Sequence, residues 1–285
     1  MDNIAQKLEV IMPTKADALR VLEETSRTFY IPISRLPKGL QEAVASGYLS
    51  MRAIDEIEDH PNLKGETKAK ILRQVSECLQ AQTAVSCFDH RQLAAIFEPY
   101  IDQLPEVSVR LGEWACYAPE FIAPRIWEAT SSMADRMAAW AENGFEVLSK
   151  ADLDRYTYGV AGAVGLMLCD LFAWFETVQI DRSRAIQFGR GLQLVNILRN
   201  RKEDIQRGVD FYPDGWTDEQ VMEYARQNLI EFDEYLHTIH KTTFFMFVGI
   251  PRALALATLD AISRGEEKLS RREVIRIVAD AKFKV

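Results

Sequence analysis

The chain has 285 residues, 48% hydrophobic and 27% charged, with a formal net charge of −8. That length supports a large core in one large domain or two small ones. So acidic a chain, with no concentrated basic block, argues against sequence-independent nucleic-acid binding.

The N-terminal stretch MDNIAQKLEV lacks the basic start and apolar centre of a signal peptide. No uninterrupted apolar run reaches the length of a membrane span; GIPRALALATL is the nearest, and it contains Arg252. Cys78, Cys87, Cys116 and Cys169 form no CxxC pattern, so they are expected reduced and mostly buried. A cytoplasmic protein is the resulting expectation.

In chain order, helical periodicity dominates. ADALRVLEETSRTF, LQEAVASGYLSMRAIDEIED, KAKILRQVSECLQAQ and RQLAAIFEPYIDQL place apolar residues at steps of three and four. SRAIQFGRGLQLVNILRNRKEDI and DEQVMEYARQNLIEFDEYLHTIH do the same. Prolines are expected between these blocks, and HPNLKG and YPDGW read as interhelical turns, with Asp214 or Thr217 capping the helix that follows. No linker, repeat or strand pattern interrupts the series. The expectation is a single all-α domain over residues 1–285, with roughly ten helices joined by short connections.

Two of these helices end in acidic clusters. In RAIDEIEDH, Asp55 and Asp59 share a face and Glu58 flanks it. Like charges at that spacing repel, and they lie at the negative end of the helix dipole. A divalent cation would relieve both costs, and Mg²⁺ favours carboxylate, water and phosphate oxygens. In NILRNRKED, Asn196, Asn200 and Asp204 form one stripe, with Arg199 and Glu203 beside it. Amide oxygens ligate Mg²⁺ without adding charge, so diphosphate would supply the missing negative charge, and Arg52 and Arg199 would meet its oxygens. An acidic stripe taken alone is more often a solvated face. Two such clusters, each next to an arginine and apolar sequence, leave a metal–diphosphate site and the solvated face evenly balanced.

Three stretches resemble the squalene/phytoene synthase family, the head-to-head trans-isoprenyl diphosphate synthases, in a divergent bacterial-type form. SRTFYIPISRLP is similar to the family's N-terminal segment, and GYLSMRAIDEIEDH to its first aspartate-rich motif. YGVAGAVGLML followed by GLQLVNILRNRKEDIQRGVDFYP is similar to its VAG helix and second motif. The resemblance implies a class I isoprenoid synthase helical bundle around a central cavity. It also implies two or three Mg²⁺ ions and ionisation of an allylic prenyl diphosphate, farnesyl diphosphate first among them. Carried over position by position, Asp55, Glu58, Asp59, Asn196, Asn200, Glu203 and Asp204 become metal ligands. Ser26, Arg27, Arg52 and Arg199 become diphosphate contacts, and Phe29, Leu166 and Gln193 lining residues. Asp55, Asp59 and Asp204 are then catalytic, with Tyr156 as the candidate phenol.

Two departures from the family bear on the reaction. Asn200 stands where aspartate is usual, and Gly159 where a tyrosine commonly precedes VAG. Gly159 is expected to widen the cavity locally; Tyr156 reaches part of the same helix face, whereas Tyr158 points elsewhere and is expected to pack in the core. Phe244, Phe245, Met246 and Phe247 are either tail-lining or core residues. His60, His90, His237 and His240 form no metal pattern.

The leading expectation is therefore head-to-head condensation to a squalene-type C30 product. The alternative is single-substrate chemistry, either a diphosphatase or a terpene synthase giving a C15 alcohol or hydrocarbon. A non-catalytic prenyl-lipid-binding role is less favoured, because the carboxylates and arginines are retained. No dinucleotide fingerprint indicates NADPH, but the reductive members of the family it resembles do not use that fold, so NADPH use stays open. Monomer and homodimer both remain open, and greasy substrate and product imply peripheral membrane contact.

Overall fold

The computed structural model describes residues 13–82, 89–236, 238–239 and 242–280, without the Arg27 side chain. Cys87, His237, His240 and the stretch MDNIAQKLEV lie outside the described residues.

The chain folds helix after helix. α1 (Lys15–Thr25) starts at Thr14, whose hydroxyl accepts the Asp17 N–H at 3.2 Å. The run read as one helix, ADALRVLEETSRTF, turns a corner at Ser26. That residue is extended, and its hydroxyl caps α2 (Arg27–Ser34) by accepting the Phe29 N–H. α3 (Leu40–Glu58) carries the first acidic cluster to its C-terminus, and α4 (Gly65–Gln80) follows after a short turn. α5 (His90–Phe97) stops where Pro99 forces a tighter 3₁₀ turn. Two short helices absent from the periodicity reading, α6 (Glu106–Val109) and α7 (Leu111–Cys116), wrap the buried Trp114, whose Nε1 donates to the Val107 carbonyl.

α8 (Ala123–Glu142) packs along α4. α9 (Lys150–Thr157) is capped by Ser149 and Asp152 and runs through a π-turn (Tyr158–Gly162) into α10 (Ala163–Glu176). α11 (Arg182–Gln206) packs against α10 and α12 (Asp218–Leu236), and Thr217 caps α12 by accepting the Gln220 N–H. α13 (Thr243–Ser263) crosses α2 and α11, and α14 (Arg271–Asp280) packs on α13.

Pro32 and Pro251 do not separate helices as expected. They sit inside α2 and α13, where neighbouring packing offsets the lost backbone hydrogen bond. Apolar length also needs correction. Lys150–Glu176 and Thr243–Ser263 are each long and apolar enough to cross a membrane, although neither is an uninterrupted apolar run. Both contribute to one large buried cluster that runs from Ala18 to Leu259, and both wall the cavity described below. No strand occurs among the described residues, and Cys78, Cys116 and Cys169 are free and buried.

Close approach of α10 and α11 depends on glycine. A Cβ on Gly165 would lie 2.4 Å from the Ala185 carbonyl oxygen, and one on Gly189 would lie 2.4 Å from that of Ala161. Both obstacles are backbone and cannot swing aside. The VAG-x-VG sequence is thus first a packing motif, which sets α11 against α9 and α10.

Candidate active site

The bundle encloses a cavity of about 670 Å³, within the range of roughly 300–1,000 Å³ usual for small-molecule sites. Its lining changes character along two helices. On α3 the sequence of wall residues runs Val44, Tyr48, Met51, Arg52, Asp55, Glu58, and it ends at the C-cap Asp59. On α11 it runs from Ala185, Phe188 and Leu192 through Gln193 to Asn196, Arg199, Asn200 and Asp204. Both helices begin apolar and end charged. α10 and α13 add Val164, Leu168, Phe244, Phe247 and Val248, so the rest of the wall is apolar.

The first cluster is compact. Asp55, Glu58 and Asp59 each offer an oxygen within 4.8 Å of the others. Glu58 is buried, and its Oε1 has no hydrogen-bond partner. Burial, then the Asp59 charge, raises the Asp55 carboxyl to about 6. The same two causes hold Glu58 well above the usual carboxylate range. Asp55 keeps 30% of its side chain accessible, but it lines the cavity and is otherwise enclosed by protein. Three hard oxygen donors, one of them buried without a partner, fit a divalent cation such as Mg²⁺. Arg52 pairs with Asp55 and Glu56, while its buried Nε has no acceptor.

The second cluster is organised differently. Arg199 Nη2 donates to Asn196 Oδ1 at 2.6 Å, and Arg199 Nε to Asn200 Oδ1 at 3.0 Å. Asn200 Nδ2 also donates to Asn196 Oδ1, at 3.2 Å. Asp204 is buried and paired with Arg207, and burial raises its carboxyl above the ordinary range. Arg207 also reaches Asp59 across the cavity, donating to Oδ1 at 2.9 Å and to the backbone carbonyl at 3.0 Å.

Tyr156 stands between the clusters. Its ring stacks on Phe211 at 4.4 Å and meets Trp140 edge-on at 5.5 Å, while the residue lines the cavity. Burial, then Glu58, Asp59, Asp55 and Asp204, pushes its phenol well above the usual range, so it is neutral at pH 7. Phe29 lies 5.6 Å from Tyr48 and 6.5 Å from Phe247, and all three face the cavity.

Most of the residues singled out by sequence meet here: Ser26, Phe29, Arg52, Asp55, Glu58, Asp59, Tyr156, Gln193, Asn196, Arg199, Asn200 and Asp204 all line this cavity. Arg27 opens α2, but its side chain is outside the described residues. Leu166 does not line the cavity, whereas Val164 and Leu168 do. Two residues turn a helix through about 200°, so Leu166 projects from the opposite face. Glu203 is exposed and off the lining, and the Arg207 guanidinium closes the gap between α3 and α11 instead. Phe244 and Phe247 face inward, while Met246 is 49% exposed. Gly159 does not widen the cavity, because a Cβ there would meet Arg136 of α8 at 3.4 Å. Tyr158 lies outside the lining, with Arg136 stacked 5.3 Å from its ring.

Sequence reasoning passed over Arg207 and Tyr48. Arg207 has a signal in the chain, three residues after Asp204 on the same face. Tyr48, one turn before Arg52, has none beyond its helix position.

An all-α bundle whose apolar cavity is capped by two polar helix ends has the isoprenoid synthase fold. A solved complex of TcSQS with the ligand BPH1237 shares it, with a TM-score of 0.69 at 23% identity over 93% of this chain and 85% of that one. The profile described as squalene/phytoene synthase matches residues 22–221, and the chain belongs to that family. Squalene synthase of Schizosaccharomyces pombe is 29% identical over 90% of this chain, and that of Rattus norvegicus 27% over 92%. The chain spans 61% and 68% of the lengths of these two relatives.

Proposed function

We infer that the protein is a Mg²⁺-dependent prenyltransferase that ionises an allylic prenyl diphosphate and condenses it head-to-head with a second one. Farnesyl diphosphate is the favoured substrate and a squalene-type C30 hydrocarbon skeleton the product. The observation that carries this reading is the polarity of this cavity, with clustered carboxylates and guanidiniums at the C-terminal ends of α3 and α11 and aromatic and aliphatic walls beyond. Family membership points the same way.

Asp55, Glu58 and Asp59 would hold Mg²⁺, which when bound neutralises diphosphate charge and eases departure of the leaving group. Arg52 and Arg199 have N–H donors for phosphate oxygens. When the donor C–O bond breaks, its electron pair leaves on the diphosphate and an allylic cation remains among Phe29, Tyr48 and Phe247. Aromatic faces stabilise that charge by about 0.5–2 kcal/mol each. Apolar walls exclude the water that would capture the cation and hold the second prenyl group in register for attack. Tyr156 presents a neutral hydroxyl dipole beside the reacting carbons.

The single-substrate alternative keeps the phenol missing at Gly159 and the amide at Asn200 as its supports, but not a locally widened cavity, because a Cβ on Gly159 would meet Arg136. Purified protein incubated with Mg²⁺ and farnesyl diphosphate, followed by gas chromatography–mass spectrometry, separates the two. With no reductant in the assay, the expected product is a C30 hydrocarbon two hydrogens short of squalene, formed by loss of both diphosphates and two protons, or the C30 intermediate that still carries one diphosphate. Farnesol or a C15 hydrocarbon would establish the single-substrate reaction instead, and failure to release pyrophosphate from any C10 to C20 substrate would exclude an enzyme of this class. Asp59→Asn is expected to abolish turnover.

A further inference from the structure

We propose that the two motifs divide the labour: α3 alone holds the divalent metal, while α11 binds the diphosphate oxygens directly through Arg199 and Arg207. The inference rests on the reading above that this cavity takes a prenyl diphosphate. It departs from the metal-ligand roles that the family resemblance assigns to Asn196, Asn200, Glu203 and Asp204.

The first argument counts lone pairs. An amide oxygen has two. Asn196 Oδ1 already accepts from Arg199 Nη2 and from Asn200 Nδ2, so it has none to offer a metal. Asn200 Oδ1 accepts from Arg199 Nε. Guanidinium carries donors only, so the amide oxygens must face it. A second cation bound to those oxygens would sit against the first, repelled by it. The amides therefore act as a clamp that orients Arg199 towards the cavity.

The second argument concerns charge. At the lining, α3 presents three carboxylates against one guanidinium. α11 and its C-cap present Arg199 and Arg207 against the single carboxylate Asp204, and Arg207 pairs with Asp59 of the facing wall as well as with Asp204. One wall is acidic and the facing wall basic. Metal on the acidic side and phosphate on the basic side satisfy both, whereas a metal shared equally between them would face two guanidiniums. The unpartnered, buried Glu58 Oε1 places the vacant donor capacity on α3. Glu203, the one further acid near the second motif, is exposed and outside the lining.

The test measures Mn²⁺ binding to the full chain by electron paramagnetic resonance, with and without inorganic pyrophosphate, and needs no turnover. Asp59→Asn is expected to weaken Mn²⁺ binding more than tenfold. Asp204→Asn is expected to leave Mn²⁺ affinity and stoichiometry within about twofold of the parent. Arg199→Gln should weaken pyrophosphate binding at least tenfold while Mn²⁺ binding without pyrophosphate stays unchanged. As a gain-of-binding control that does not depend on tolerating a buried substitution, Asn196→Asp/Asn200→Asp should add Mn²⁺ to the pyrophosphate complex. A loss in Asp204→Asn as large as that in Asp59→Asn, in protein whose circular dichroism melt is intact, overturns the division of labour. So does a double variant that binds no more Mn²⁺ than the parent. If the parent binds neither Mn²⁺ nor pyrophosphate, the broader prenyl diphosphate reading falls as well.

Discussion

Arg207 and Asp59 are 148 positions apart in the chain, yet Arg207 Nη1 donates to Asp59 Oδ1 at 2.9 Å. The same guanidinium pairs with Asp204, so one side chain ties the end of α3 to the end of α11. Without it, the buried Asp204 carboxylate would lose its counter-ion. Leaving a buried polar group unpaired costs about 1–3 kcal/mol. Arg207→Gln is therefore expected to lower the melting temperature of metal-free protein by a few degrees. Mg²⁺ with pyrophosphate should recover part of the loss. Scanning fluorimetry decides it, and an unchanged melt would show that the bridge contributes nothing to stability.

Crowded carboxylates on α3 predict an unusual pH dependence. The Asp55 carboxyl is raised to about 6, chiefly by burial, against about 3.9 in an unfolded chain. Between those values the folded state binds more protons than the unfolded state, so stability falls as pH rises through that window. Above it the penalty is fully present. Asp55→Asn removes that ionisation. Metal-free Asp55→Asn should be more stable than the parent at pH 8 by on the order of 1–2 kcal/mol after allowing for solvent screening, and the gap should fall to about half by pH 5 and close below about pH 4. Chemical denaturation at the two pH values measures it. A gap that widens on acidification would mean the folded-state carboxyl is depressed, not raised.

The neutral phenol of Tyr156 yields a kinetic prediction. Tyr156→Phe keeps the ring stacked on Phe211 and removes only the hydroxyl. A positioned proton-transfer or dipolar group contributes about 10²–10⁴-fold. A fall in kcat of that order is expected with KM changed less than about threefold and the melting temperature preserved. Steady-state kinetics with farnesyl diphosphate supply the number, and a kcat within twofold of the parent would remove the hydroxyl from the chemistry.

Two glycines should respond in opposite directions to the same substitution. Gly189→Ala drives a Cβ to 2.4 Å from the Ala161 carbonyl oxygen, so α11 must move off the VAG segment. Overpacking of this kind typically costs about 1–3 kcal/mol. Gly159→Ala meets only the aliphatic part of Arg136, at 3.4 Å, and exchanges glycine for the better helix former. A gain of up to about 1 kcal/mol is expected there, with the product distribution unchanged. Urea titrations of both variants distinguish them; equal destabilisation would contradict the packing described for α10 and α11.

Much of this protein was legible along the chain, because local periodicity and residue type carry it. The three- and four-residue apolar steps mark α3, α4, α11 and α12, and the i, i+4 spacing of Asp55 and Asp59 and of Asn196 and Asn200 aligns each cluster on one face of its helix. What a linear reading lacks is the direction in which a side chain projects once helices have packed. Leu166, Glu203 and Gly159 lie on helices that wall the cavity but are directed away from it, and nothing in their own neighbourhood of sequence says so. Nor does composition show that Arg207 would span to Asp59, a distance set by helix packing, or that the Arg199 side chain would turn back along α11 onto the amide oxygens of its neighbours. Sequence by itself determined the helices and the chemistry each brings, through short-range backbone geometry and hydrophobic period. Tertiary structure decided which faces meet across the cavity, because close approach at Gly165 and Gly189 fixes the rotation and spacing of α11, and with them the facing of one acidic wall by one basic wall.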